Sequence, residues 1–507
     1  MNFPWLLIIL LTPIIGTALL FVPQIKNIFN FKQIAFYSSV ITLLFVVVVA
    51  LQFDVTSSAQ TQLDISYDWI PIFGISFHLG LTGISLVLTL LTAVLTPIVI
   101  IAAQHEGQKR TREFFMWILL TQASALAVFL ARDLFLFYVV FEAMLVPIFF
   151  LVGRFGGARR NAAALKFLLF GLAGGLVMLA ALIWLYFVAS AQLGRGTFSI
   201  AALSNELNLN TWTERWLFLG FFLAFALKAP MVPGHTWLPD TAEQATPGTS
   251  TMLIGILDKV GTYAMLAILL PIFPNASKEF APLIIGFAVF GIIYAALIAI
   301  AQKDMKRTFA YISISHFGFI VMGIFSFTSI GIIGSTVYMV AHGLSTAALF
   351  LTAGYLMRQK DSALISNFGG LSKSAPLLTG FFLVASLSSI ALPGLAGFVG
   401  EFMVLTGTYQ RNQLAAIIGT LGIILAAIYM LWLYQRVFTG PENDGTKNIF
   451  DLNIKQSLAL APVIVLTILL GLYPAPVIKF SEKSVEATLS KLEIKDPAPR
   501  IQKVSQE

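Results

Sequence analysis

Of 507 residues, 58% are apolar, 11% are charged and none is cysteine, and the mean hydropathy is +0.87. Soluble domains carry roughly 25% charge, so this composition excludes a soluble enzyme or binding module and indicates an integral membrane protein. The lack of cysteine excludes disulfides and cysteine-ligated iron–sulfur clusters, and the formal charge of +7 sits in loops between apolar runs, not in a nucleic-acid-binding patch.

Apolar runs of about 17–25 residues suffice to span a bilayer. They place about fourteen helices near 4–21, 32–52, 81–103, 112–131, 133–153, 162–190, 214–231, 249–270, 279–300, 306–327, 329–356, 376–403, 411–437 and 455–478. The first run lacks a basic leader and a small-residue cleavage site, which reads as a retained helix. No phosphate-binding glycine loop or dinucleotide fingerprint interrupts the series.

Taken in chain order, the ionisable residues inside these runs are few. Glu142 lies half way along the fifth helix, and Lys166 stands near the start of the sixth, where its side chain can snorkel to the interface. Lys228 closes the seventh apolar run and is followed by Pro230 and Pro233, which remove backbone donors and break the helix. An ammonium at membrane depth costs roughly 3 kcal/mol on insertion scales, so it marks a functional site by default. His235 and Asp240 follow in a turn, with no third partner at a zinc-site or triad spacing. Lys259 is near the middle of the eighth helix; its neighbour Asp258 cannot share its face and is expected to pair elsewhere or reach toward water. His316 is in the tenth helix, His342 is central in the eleventh, and Glu401 lies beyond the Pro393–Gly394 break of the twelfth. A row of groups of mixed acid–base character is what proton transfer through a bilayer requires. The structural alternatives are a passive Lys228–Glu142 ion pair, a snorkelling Lys259, histidines that only bond neighbouring helices, and a water-exposed Glu401. His78 and His105 lie in loops and carry no assignment.

Loop charge sets the orientation. Alternate loops carry seventeen basic residues, from Lys26 through Arg110, Arg159, Arg307 and Lys373 to Lys455, against five in the other set. Cytoplasmic loops are the basic ones, so both termini are expected to face away from the cytoplasm. Helices 1–3 (residues 1–111) precede a five-helix unit at 112–270 and a second unit of equal helix number at 279–437. An odd number of helices inverts the second unit relative to the first, the usual ground plan of transporters. Each unit has a proline-broken fourth helix bearing an ionisable residue. Helix 14 (455–478) and an exposed, partly disordered tail (479–507) complete the chain.

The stretches FFLAFALKAPMVPGHTWLPD, TPGTSTMLIGILDKVGTYAML, KRTFAYISISHFGFI and ALPGLAGFVGEF resemble the antiporter-like subunits of respiratory complex I. The likeness extends from the third helix onward. It is greatest to the M-type chains of bacterial NADH–quinone oxidoreductase: these carry glutamate where Glu401 stands, whereas the L- and N-type chains carry lysine, and the long lateral helix of L-type chains is absent. The loop TAEQATPGTS departs from the family pattern by lacking a histidine. The resemblance implies that Glu142 pairs with and modulates Lys228, that Lys259 is the central proton carrier, that His316 and His342 lead toward the second half, and that Glu401 is the terminal group. It also implies no cofactor in this chain, with flavin, iron–sulfur clusters and quinone on partner subunits. L-type and N-type paralogues would flank the chain in a bacterial plasma membrane. The rival functions are a subunit of a multi-subunit cation/proton antiporter or membrane-bound hydrogenase, and a passive scaffold.

Overall fold

A computed structural model describes residues 3–26, 28–57, 59, 61–103, 106–441, 446 and 449–497. His105, Lys447 and the tail beyond residue 497 lie outside them, as does the side chain of Lys26.

The described chain is mostly helical, because a segment in hydrocarbon must satisfy its own backbone polar groups. It opens with α1 (Trp5–Leu19) and α2 (Phe31–Gln52), the latter started by a capping box between Asn30 and Gln33. A two-stranded antiparallel hairpin follows, β1 (Gln62–Ile70) and β2 (Ile75–Leu81), with Tyr67 opposite Phe77. The fourteen-helix reading did not anticipate it. Its signal is present in the alternation of Leu63, Ile65, Tyr67 and Trp69 with polar residues.

The next helices are α3 (Gly83–Ala102), α4 (Gln108–Leu130), α5 (Leu134–Phe155), α6 (Arg160–Leu193) and α7 (Thr211–Lys228). Asp133 caps α5 by accepting from the N–H groups of Phe135 and Leu136. Beyond α7 the chain turns through Pro230 and Pro233 into α8 (Trp237–Gln244) and then α9 (Pro247–Ile272). Within α9 two π-helical stretches, Leu253–Leu257 and Met265–Leu269, flank Lys259. Such wide turns leave carbonyl groups free for side chains and are frequent at functional sites.

The second half contains α10 (Pro274–Ile300), α11 (Met305–Ile324) and α12 (Ser329–Lys360). Two shorter helices follow, α13 (Pro376–Ser389) and α14 (Ala396–Arg411), separated by the break that Pro393 and Gly394 predict. The last elements are α15 (Gln413–Phe438), α16 (Ile454–Leu472) and α17 (Ala475–Lys491). Helices α9, α11 and α12 form the core: 94%, 89% and 94% of their apolar windows are buried, against 33% for the peripheral α6.

Of two expectations, one stays open and one changes. Among the described residues, eleven helices are long and apolar enough to cross a membrane, which leaves the count of fourteen unconfirmed. The other expected spans correspond to α1, to α7 with its three charged residues, and to α13 with α14, which are short or charge-bearing. The segment read as a loose arm from residue 479 is mostly helix α17. Val485 and Leu489, four residues apart, bury one face of it. Ser484 accepts from the Gly83 N–H, Lys278 donates to the Leu492 carbonyl and the Ser329 N–H donates to Asp496, so the segment is strapped across its own chain.

Candidate functional site

The core helices carry a connected row of buried polar side chains. Lys259 is fully buried, yet its ammonium is not alone. It donates to the Ile254 carbonyl at 2.5 Å, an acceptor in the π-helical stretch, and meets Nδ1 of His342 at 2.7 Å. The His342 ring lies 5.4 Å from that of His316, edge to face. His316 in turn stacks obliquely on Tyr338 at 5.6 Å and has Tyr429 Oη 3.4 Å from its Nε2. Tyr338 Oη donates to Glu401 Oε2 at 3.0 Å. The row therefore runs from Lys259 through His342, His316 and Tyr338 to Glu401, and all five are buried.

Local sequence explains how these groups meet. His342 and Tyr338 are four residues apart on α12, which puts them on one face. Gly400 lets α14 approach that face: a Cβ there would sit 2.6 Å from the Tyr338 Cα, so any larger residue would push Glu401 away. His316, Lys259, His342 and Glu401 are thus brought together in one buried row. Glu401 is 3% exposed, not water-facing. Tyr338 and Tyr429 were not singled out from the sequence, although the i, i+4 spacing of Tyr338 and His342 was the available signal.

The first half is arranged differently. Lys228 ends α7 and points into a small apolar pocket lined by Phe141, Phe167, Leu227 and Trp237. Its Nζ lies 4.9 Å from the Phe141 ring centroid, a cation–π contact, and has no hydrogen-bond partner among the described residues. Oε1 of Glu142 also lacks one, so the expected Glu142–Lys228 ion pair is open here. The physical reason is the direction of the ammonium, which turns to the ring face. Glu142 and Asp258 are the carboxylates whose charge reaches it. Asp258 corrects its expectation as well: it is 1% exposed, and its Oδ2 has no hydrogen-bond partner among the described residues.

Lys166 does not simply snorkel. It binds Asp240 at 2.6 Å within a network that joins Arg307 to both Asp240 (2.7 Å) and Glu243 (2.8 Å), and Arg159 to Glu243 (2.6 Å). Burial alone would raise both carboxyls, but hydrogen bonds and charge from Lys166, Arg307 and Arg159 hold them below the usual carboxylate range. His235 is buried with its ring 5.4 Å from that of Tyr294 and joins neither group. No cluster of three or more metal-ligating side chains occurs among the described residues.

A family model described as NADH:quinone oxidoreductase/Mrp antiporter, TM, matches residues 131–428. The NADH-quinone oxidoreductase subunit M of Mycobacterium tuberculosis is 43% identical, the match covering 99% of this chain and 96% of that protein. A chain of respiratory complex I from Thermus thermophilus, solved with bound NADH, superposes with a TM-score of 0.86 at 29% identity, over 96% of this chain and 99% of that one. A chain of the Mrp complex from Dietzia shares the fold, with a TM-score of 0.83 at 20% identity over 96% and 98% of the two chains.

Proposed function

The chain belongs to the NADH:quinone oxidoreductase/Mrp antiporter membrane family, and on that premise we propose that it is the proton-translocating M-type subunit of an NADH–quinone oxidoreductase. The observation that carries the reading is the buried row from Lys259 to Glu401, in which successive groups lie at hydrogen-bonding or ring-contact distance. Each member can hold or pass a proton, and together they bridge the halves of the molecule.

In this reading Lys259 is the central carrier, His342, His316 and Tyr338 relay, and Glu401 is the terminal group. Opening and closing of the Glu142–Lys228 pair sets the charge that Lys259 experiences, and the open arrangement is one of its two states. Moving one charge against 100 mV takes about 2.3 kcal/mol, a scale that rearranging one buried charge pair readily supplies. Redox energy comes from partner subunits, where we place flavin, iron–sulfur clusters and the quinone site. The two five-helix units are assigned to 112–270 and 279–437, with L-type and N-type chains on either side. The complex is placed in a bacterial plasma membrane, with both termini of this chain away from the cytoplasm.

The test is NADH-driven proton uptake by inverted vesicles carrying Lys259→Ala, measured beside complex assembly and NADH–quinone electron transfer. Uptake lost or strongly reduced in an assembled complex is the expected result. Unchanged uptake would make the lysine structural and favour a scaffold. Normal NADH oxidation in cells lacking the chain, with a sodium-dependent growth defect, would move the assignment to a cation/proton antiporter.

A further inference from the structure

Asp258 is a buried carboxylate that the row from Lys259 to Glu401 does not use. It sits where the first π-helical stretch of α9 ends, its N–H donating to the Leu253 carbonyl five residues back. Consecutive helical residues diverge by about 100°, so Asp258 and Lys259 face different neighbours. The Lys259 face is fixed toward α12 by two contacts, Lys259 Nζ to His342 and Thr262 Oγ1 to Met339 Sδ at 3.0 Å. The Asp258 face is fixed by Gly261, three residues on and therefore on the same side. A Cβ at Gly261 would lie 2.5 Å from the Phe225 carbonyl oxygen and 2.7 Å from the Ala229 nitrogen. That contact seats the Asp258 side of α9 against the end of α7, where Lys228 stands.

Two of the polar atoms in this region lack a hydrogen-bond partner among the described residues: Oδ2 of Asp258 and Nζ of Lys228. Both belong to residues at least nine-tenths buried. Unpaired buried charges are costly and persist where they are used. The charge of Asp258 acts on both Lys228 and Lys259.

We infer that Asp258 is the positioning carboxylate between the two halves, its charge shared between the Lys228 ammonium on the α7 side and the Lys259 ammonium on the α12 side. When Glu142 closes on Lys228, Asp258 acts on Lys259 alone; when that pair is open, as here, the charge of Asp258 acts on Lys228 across the α7–α9 contact without a direct hydrogen bond, and Lys259 is freed to hand its proton to His342. Lys228 thus reaches Lys259 through a carboxylate. The inference rests on the proton-translocating reading and names the link within it.

The experiment measures NADH-driven proton uptake and assembly in the whole complex. It uses Asp258→Asn, Asp258→Glu, Lys228→Ala and the double variant Lys228→Ala/Asp258→Asn, with Lys259→Ala as reference. Asp258→Ser, also uncharged, is carried alongside in case the asparagine variant fails to assemble. Expected are an assembled uncharged variant with uptake reduced about tenfold, the size of one ~1.4 kcal/mol interaction, and recovery in Asp258→Glu. The double variant should be no worse than Lys228→Ala alone, because residues acting in series are not additive. Wild-type uptake in the uncharged variants, or losses that multiply in the double variant, would overturn the inference while leaving the parent reading intact. Normal uptake in Lys259→Ala would overturn both.

Discussion

Tyr338 is where the chemistry of single residues is most exposed to test. Its hydroxyl donates to Glu401 while its ring packs on His316, so one side chain joins the histidine pair to the terminal carboxyl. Tyr338→Phe keeps the ring and removes the donor. A hydrogen bond to a charged group contributes about 1.5–3 kcal/mol, so proton uptake should fall by roughly an order of magnitude or more with assembly intact. Unchanged uptake would place Glu401 off the path. Lys228 shows the opposite situation. Its ammonium is held against the Phe141 ring with no hydrogen-bond partner among the described residues, an arrangement suited to a charge that must change partners.

Among elements, the interruptions matter most. Helix α7 stops at Lys228, α13 stops at Ser389 ahead of Pro393, and α9 widens on both sides of Lys259. The first two were readable because proline removes a donor wherever it stands. The third was not, since MLAIL carries no breaker and the single Gly255 of LIGIL does not by itself specify a wide turn. Helix α8, between α7 and α9, is anchored by charge instead. Asp240 and Glu243 bind Lys166, Arg307 and Arg159, and both carboxyls lie below their ordinary values of 3.8 and 4.5. For depressed acids the sign is fixed: the stability they contribute is fully present above those ordinary values and is lost as pH falls through the lowered folded ones. Because the pairs are partly exposed, Asp240→Asn should cost only ~1 kcal/mol or less at neutral pH. Melting curves of the solubilised complex should show that difference near pH 7 and lose it in strong acid. A difference that persisted in acid would point to packing, not charge.

At the scale of the whole molecule, the distribution of basic loops makes a prediction that the cysteine-free chain is well suited to test. Ser372→Cys, in an exposed basic loop, should react with a membrane-impermeant maleimide in inverted vesicles only, and Glu206→Cys, exposed between α6 and α7, in right-side-out vesicles only. The reverse pattern would invert the assigned orientation. Hydropathy and proline placement are properties of single segments, so the membrane class, most helices, both breaks and the buried charges Lys228, Lys259 and Glu401 were legible in the sequence. The hairpin was legible in principle, from the alternation in QLDISYDWI, and was passed over because the surrounding runs dominate. Helix α17 was masked by its alternating charges, although Val485 and Leu489 mark its buried face. What the amino-acid sequence alone determined is the inventory: a mostly helical membrane chain with a small set of ionisable residues at membrane depth and two broken helices. What only the tertiary structure decided is which of those groups touch. Lys259 meets His342, Tyr338 reaches Glu401, Lys228 turns from Glu142 to an aromatic face, and Gly261, three residues beyond Asp258, packs against the end of α7. Such contacts depend on the rotation of each helix about its axis and on close approaches at Gly261 and Gly400, which many residues set jointly and no local pattern encodes.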